Sequence, residues 1–274
     1  MTVLIVMRKE IQEGLRNRWV LATTLLLAAL ALTLTFLGSA PVGNVGASPL
    51  DVVIVSLSSL TTFLVPLIAL LISHDAIVGE MERGTMLLLL SYPIRRWQVI
   101  FGKFVGHLAI LAFATLLGYG AAALALAAMG TAIDAASWWA FGSMILSSIA
   151  LGAAFVAIGY LVSALVRQRG TAAGIAIGVW LLFVLIYDMA LLGVLVVDQG
   201  RTIGTGLLDA ALLLNPTDAY RLLNLGSEGA SSVSGMAGVA ENVSLSPTLL
   251  VAALLAWVIV PLAAAMLVFS RKEL

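Results

Sequence analysis

Residues 52–103 read VVIVSLSSLTTFLVPLIALLISHDAIVGEMERGTMLLLLSYPIRRWQVIFGK. From Val52 to Ser73 no side chain is charged. Crossing about 30 Å of hydrocarbon takes roughly 20 apolar residues in a helix, because every backbone N–H and C=O must be paired within the segment. Residues 52–73 meet that requirement. His74-Asp75 then opens a polar connection that carries Glu80, Glu82, Arg83, Arg95, Arg96 and Lys103, and charge disappears again from Phe104 onward. A span, a basic connection and the start of the next span follow one another, and the pattern recurs along the chain.

Of the fourteen Lys and Arg residues, all but Arg201 and Arg221 fall into four clusters: Arg8, Lys9, Arg16, Arg18; Arg83, Arg95, Arg96, Lys103; Arg167, Arg169; and Arg271, Lys272. Pairs of apolar runs separate the clusters. Lys and Arg in short loops stay on the cytoplasmic side during insertion, so all four clusters are expected inside, with both termini cytoplasmic and an even number of crossings. Six runs are available: 19–38, 52–73, one within 104–133, one within 135–166, 170–197 and 248–269. The expected fold class is all-α: a polytopic membrane protein of six transmembrane helices, with an N-terminal amphipathic interfacial helix and a large periplasmic loop between helices 5 and 6. In domain terms this is residues 1–18 as the interfacial helix and 19–274 as the transmembrane domain, with a connection at 74–100 and an outer loop at 198–247.

Composition agrees. A chain that is 62% hydrophobic and 10% charged lies far from the soluble norm of about half apolar and a quarter charged. Its mean hydropathy is +1.12. The net charge of zero conceals basic inner segments and outer ones bearing Asp134, Asp198, Asp209, Asp218, Glu228 and Glu241, a distribution that gives no footing to nucleic-acid binding. The absence of Cys removes disulfides and thiolate metal ligands. Gly38-Ser39-Ala40 has the small residues of a cleavage site, but residues 19–38 exceed a signal-peptide core of about 7–15 and read as a retained helix.

Several segments lie outside the spans or mark contacts between them. Leu4, Met7, Ile11 and Leu15 keep helical spacing, with Arg8, Lys9, Gln12, Glu13 and Arg16 on the other face. That pattern suits a helix lying in the cytoplasmic interface or docking a partner. The 74–100 connection is longer than a turn needs; Gly84 can close a helix over 75–83 in a left-handed conformation, and Pro93 sets a second break. A plain solvated loop that fixes topology accounts for it equally well. Trp138-Trp139 suits the outer aromatic belt. In 198–247, apolar residues on either side of Asn215-Pro216 suggest one or two short amphipathic helices, and 226–238 is Gly/Ser-rich. Pro66 and Pro261 fall inside spans, where they remove a backbone donor. Gly170, Gly174 and Gly178 share one helix face, as do Gly102 and Gly106, allowing close approach within one subunit or between two.

Catalytic signatures are missing. Gly102-Lys103-Phe104 lacks the remainder of a nucleotide-binding P-loop, and neither His-Glu-x-x-His nor Gly-x-Ser-x-Gly occurs. Asp188 interrupts the fifth run, where a charge costs about 2.5–3.5 kcal/mol unless protonated, paired or wet. It is the intramembrane polar candidate, and its partner must come from another helix; a structural role near the outer end is equally open. His107 sits near the inner headgroups and reads as interfacial. The nine Met residues are scattered and read as apolar filling, not as a copper ladder.

The run Glu82-Arg83-Gly84-Thr85, then 87–90, Ser91, Pro93, Arg95-Arg96 and Gly102-Lys103-Phe104 resembles the signature of ABC-2 type permeases, the membrane subunits of ABC exporters. The six helices, N-terminal helix and long outer loop fit that family across the chain. Residues 215–221, Asn-Pro-Thr-Asp-Ala-Tyr-Arg, are similar to those permeases that serve multicopper enzyme maturation, in particular nitrous oxide reductase assembly. The resemblance implies a multi-pass protein of the bacterial inner membrane, non-catalytic and binding no cofactor itself. It implies a homodimer bound to a cytoplasmic ABC ATPase that carries ATP and Mg, and a periplasmic β-helical protein. Asp75, Glu80, Glu82, Arg83, Gly84 and Thr85 would form the ATPase-coupling element, while Asn215, Pro216, Asp218, Tyr220 and Arg221 would dock the periplasmic partner. Export of a sulfur species or of copper would fit.

Other readings are an ABC-2 exporter of another small molecule or lipid, an ion-coupled secondary transporter, and a scaffold anchoring a periplasmic protein. A secondary transporter would need internal repeats and several buried ionisable groups, which the sequence does not display.

Overall fold

The computed structural model describes residues 2–16, 18–38, 49–128, 135–198, 205–225 and 245–272. The Gly/Ser-rich piece at 226–238, Arg201, and most of the two short outer loops lie outside them. The described elements are α1 (Thr2–Leu15), α2 (Arg18–Gly38), α3 (Pro49–Ser73), α4 (Val78–Glu82), α5 (Thr85–Leu90), α6 (Arg96–Ala128), α7 (Ala135–Leu165) and α8 (Arg169–Leu181). A π-helical turn (Leu182–Ile186) joins α8 to α9 (Tyr187–Asp198), and α10 (Thr205–Leu213), α11 (Pro216–Leu225) and α12 (Pro247–Arg271) follow. No strand occurs among the described residues. Among the described residues, five stretches are long and apolar enough to cross a membrane: Val52–Glu82, Arg96–Ala128, Ala135–Leu165, Arg169–Val197 and Pro247–Arg271. The bent pair α1 and α2 supplies a sixth.

The bundle is arranged around α7, whose inner positions from Phe141 to Ala164 are buried against α3, α6 and α12. Helices in lipid gain little from the hydrophobic effect, so close packing must hold them. α7 provides for it with small residues. A Cβ on Gly152 would meet Leu111 Cδ2 at 2.1 Å, and one on Gly159 would meet Ser73 Oγ at 2.0 Å. Toward the acidic end Phe155, Phe183 and Trp257 meet edge to face at 6.1 and 5.3 Å, tying α7, the π turn and α12 together.

α1 lies along α6, burying Val6 and Glu10 with Gly14 beside them, while Leu4 and Leu15 remain 61% and 52% exposed. The physical reason is the pair of glycines on α6. A Cβ on Gly102 would come within 2.9 Å of Val6, and one on Gly106 within 2.6 Å of Glu10. Gly102 and Gly106 therefore serve packing inside one chain. Gly170, Gly174 and Gly178 face open space within the chain.

The basic clusters do more than bias insertion. A helix leaves its last carbonyls without partners, and this structure fills them with cations. Arg96 Nη1 donates to the carbonyls of Phe269, Ser270 and Lys272 at 3.1, 3.2 and 2.7 Å, closing α12. Lys272 Nζ donates to Ala164 and Val166 at 2.8 and 2.6 Å, closing α7.

Replacing Gly159 with Leu forces α3 from α7, and overpacking of this kind costs about 1–3 kcal/mol. A lowered melting temperature of the detergent-solubilised chain is expected, whereas Gly174→Leu, on the open face, leaves the isolated chain's melting unchanged.

Candidate coupling and latch sites

Two polar clusters occupy opposite ends of the bundle. The first begins where α3 stops. The backbone N–H groups of Ile77 and Val78, at the start of α4, both donate to Ser163 Oγ on α7 at 3.0 Å. A short helix with unsatisfied amides is thus capped from a neighbouring span. Gly84, with φ 71° and ψ 0°, then reverses the chain between α4 and α5, the left-handed position expected of it. Thr85 Oγ1 donates to the Glu80 carbonyl at 3.2 Å.

Of the acidic residues in this segment, Glu80 is the one that is buried. Glu80 is 6% exposed, and its Oε1 lies 3.0 Å from Lys103 Nζ and 3.2 Å from Lys9 Nζ. Lys103, 2% exposed, also reaches Glu10 Oε1 at 2.6 Å. One ammonium on α6 therefore joins α1 to α4. One turn further along α6, His107 Nδ1 meets the Tyr160 hydroxyl at 2.6 Å, and its Nε2 lies 3.7 Å from Glu10 Oε2. His107 is thus a buried link to α7, where the sequence suggested an interfacial side chain. Asp75 Oδ2 pairs with Arg169 Nη2 at 2.6 Å, and Glu82 Oε1 accepts the Arg169 backbone N–H at 2.8 Å, fastening the segment to the first turn of α8. A cavity of about 620 Å³ lies beside these residues, lined among others by Glu13, Asp75, Glu80, Arg83, Lys103 and Arg169.

In this arrangement the Glu80 carboxylate is turned into the chain and paired there. Burial in low dielectric makes an unpaired carboxylate expensive, so Glu80 is spent on the internal pair. Arg83, Gly84 and Thr85 are exposed, as are Leu87 and Leu88 on α5 at 58% and 69%. Sequence reasoning missed Glu10, Lys103 and Arg169 as partners. A carboxylate on the same face as Val6 and Gly14, and a lysine opening an apolar run, were the available signals.

The second cluster surrounds the π turn. Its wider hydrogen-bond register exposes backbone carbonyls, and Asn215 Nδ2 donates to that of Phe183 at 2.9 Å. Asn215 Oδ1 accepts the Thr217 N–H at 3.0 Å, and Pro216 follows it as the first residue of α11, a favoured start for a helix. Arg221 Nη1 lies 2.8 Å from Asp188 Oδ2 and 2.9 Å from Asp218 Oδ1. The partner that Asp188 requires comes from α11. Tyr220 meets Ser148 at 3.0 Å, Asn224 meets Ser147 at 3.0 Å, and Tyr187 and Trp257 donate to the carbonyls of Ala211 and Leu213 at 2.6 and 3.2 Å. Burial, with the charge of Asp188 beside it and Arg221 opposing, pushes the Asp218 carboxyl up to about 7.

Asn215, Pro216, Asp218 and Tyr220 are buried, and Arg221 is engaged with two carboxylates. α11 inserts its polar side chains among α3, α7, α12 and the π turn, where they satisfy one another. The exposed apolar residues of this region are Leu207 and Leu214.

Removing Lys103 leaves the Glu10 and Glu80 carboxylates buried side by side, a loss of about 3–5 kcal/mol. Lys103→Met is expected to lower the melting temperature steeply, with Glu80→Gln in the same chain restoring part of it.

Comparison with known proteins accords with these features. Residues 4–274 match the family described as "ABC-2 family transporter protein". The chain is 48% identical over 267 residues to the probable ABC transporter permease protein NosY of Stutzerimonas stutzeri, covering 97% of this chain and 96% of that one. It is 47% identical over 268 residues to the protein of the same name from Pseudomonas aeruginosa, covering 97% of each. With its apolar spans, the chain belongs to the ABC-2 family and is a multi-pass ABC transporter permease, the non-catalytic membrane subunit of its system.

Proposed function

We propose that this permease transmits ATP-driven motion across the bacterial inner membrane to support copper-site assembly of nitrous oxide reductase. Near half-identity along the whole chain to two proteins named NosY supports the assignment. The basic end of the bundle faces the cytoplasm, with both termini, and the α10–α11 end faces the periplasm. A cytoplasmic ABC ATPase, NosF-like, binds ATP and Mg; this chain binds no cofactor. The open face of Gly170, Gly174 and Gly178 is where a second copy approaches to make the homodimer.

The observation that carries the mechanical reading is the anchoring of α4. Ser163 holds its first amides to α7, Lys103 holds Glu80 to α6 and, through Glu10, to α1, and Arg169 holds Asp75 and Glu82 to the fifth span. A push on the Arg83–Leu88 edge reaches four spans together, because the Ser163 and Lys103 links cannot lengthen without stranding a buried charge or amide, and the Arg169 pairs add the fifth span. The fifth span carries the displacement to the π turn, and Asn215 and Arg221 pass it to α11. A periplasmic β-helical protein, NosD-like, receives it at the outer face near Leu207 and Leu214. What crosses or is released is a sulfur species or copper.

Purification of the tagged chain from native membranes is expected to recover both the ATPase and the periplasmic subunit. Arg83→Glu and Leu88→Asp, singly, are expected to reduce ATPase recovery at least tenfold while the chain's own melting temperature stays within about 2 °C, since both side chains are exposed. Undiminished recovery with both variants would remove the coupling assignment.

A further inference from the structure

Asp188 and Asp218 converge on a single guanidinium. Arg221 Nη1 takes one oxygen of each, and Asn215 Nδ2 donates to the second oxygen of Asp218 at 3.0 Å. The second oxygen of Asp188 is buried and, among the described residues, meets no hydrogen-bond donor. The two carboxyl groups thus meet at one nitrogen, 2.8 and 2.9 Å from it. Two carboxylates against one guanidinium leave one negative charge uncompensated, in a setting where Asp218 is 3% exposed. Among the described residues, no other charged or titratable group near α11 offsets it. Tyr187 and Tyr220 are committed to Ala211 and Ser148, and Asp209 on α10 is a further acid. At this end α7 and α12 carry no charged residue, and α3 carries only Asp51, whose side chain lies outside the described residues.

We propose that Asp188 and Asp218 share one proton taken from water, making the contact between α11 and the fifth span a proton-binding latch. One carboxyl donates O–H to the other, the orphaned oxygen gains its donor, and the trio with Arg221 becomes neutral. Loss of that proton sets two anions against each other in low dielectric, the arrangement in which paired carboxylates hold a single proton. The repulsion loosens α11 from the π turn, so the latch is closed when protonated and slack when not. This site is separate from the α4 coupling segment and stands whatever the permease moves.

The sign of the pH dependence follows from linkage. The unfolded Asp218 carboxyl is ionised above its ordinary 3.8, while the folded one keeps its proton to about 7. The folded state therefore binds more protons between these values, and its stability falls as pH rises from about 4 to about 7, then levels. The full-length chain in lipid nanodiscs is to be melted over about pH 5–9, with infrared spectra recorded across the same range. The wild type is expected to lose roughly 5 °C or more across the transition and to lose a protonated-carboxyl band with it. Asp188→Asn, whose amide donates permanently to Asp218, is expected to abolish both the slope and the band. A wild-type melting temperature independent of pH, or a spectrum with no titrating carboxyl band, overturns the proposal; so does a slope or a band that persists in Asp188→Asn.

Discussion

Inside a bilayer a polar group has no water to fall back on, and every feature of this chain that is not simple apolar packing answers that constraint. The ammonium of Lys103 exists at depth because Glu10 and Glu80 surround it. The first amides of α4 are met by Ser163. A carbonyl of the π turn is met by Asn215, and the last carbonyls of α7 and α12 by Lys272 and Arg96. In each case the donor or acceptor comes from a different element, so satisfying the backbone also fixes the tertiary arrangement.

The consequence for transmission is that stiffness is placed where work enters and where it leaves. Between α4 and the third and fourth spans the links are ionic or capping bonds with buried ends, and such links break discretely instead of stretching; the pairs to the fifth span are more exposed. The fifth span runs unpacked along much of its length, with Ile177, Leu185, Val196 and other apolar residues exposed. Its rigidity is therefore that of a helix alone, interrupted once at the π turn, where Asn215 and Arg221 seize it.

Charge spacing made the membrane architecture readable: clusters of Arg and Lys between charge-free runs gave spans whose cores agree with the helices found. Gly84 announced its left-handed turn, and Asn215-Pro216 the break between α10 and α11. What remained hidden was pairing. The coupling role of Glu80 came from the family resemblance, and only the three-dimensional approach of Lys103 and Lys9 reveals its pairing within the chain. The docking role of residues 215–221 came from the same resemblance, and nothing in their spacing shows that α11 turns them into the bundle. Side-chain spacing along one helix carries no information on which other helix will meet it, and both sites are built from such meetings.

The bonds that close the basic end join residues far apart in the chain. Arg96 and its partners at Phe269, Ser270 and Lys272 are separated by 173 to 176 residues, and Lys272 and its partners at Ala164 and Val166 by 106 to 108. During synthesis, therefore, α6 and α7 enter the bilayer with a guanidinium and carbonyls that only water and lipid headgroups can meet until α12 has been made. The bundle is sealed by its last helix, as an arch is by its keystone, and a ribosome that stalls before α12 leaves behind an inserted but open assembly whose polar ends invite the quality-control proteases of the membrane.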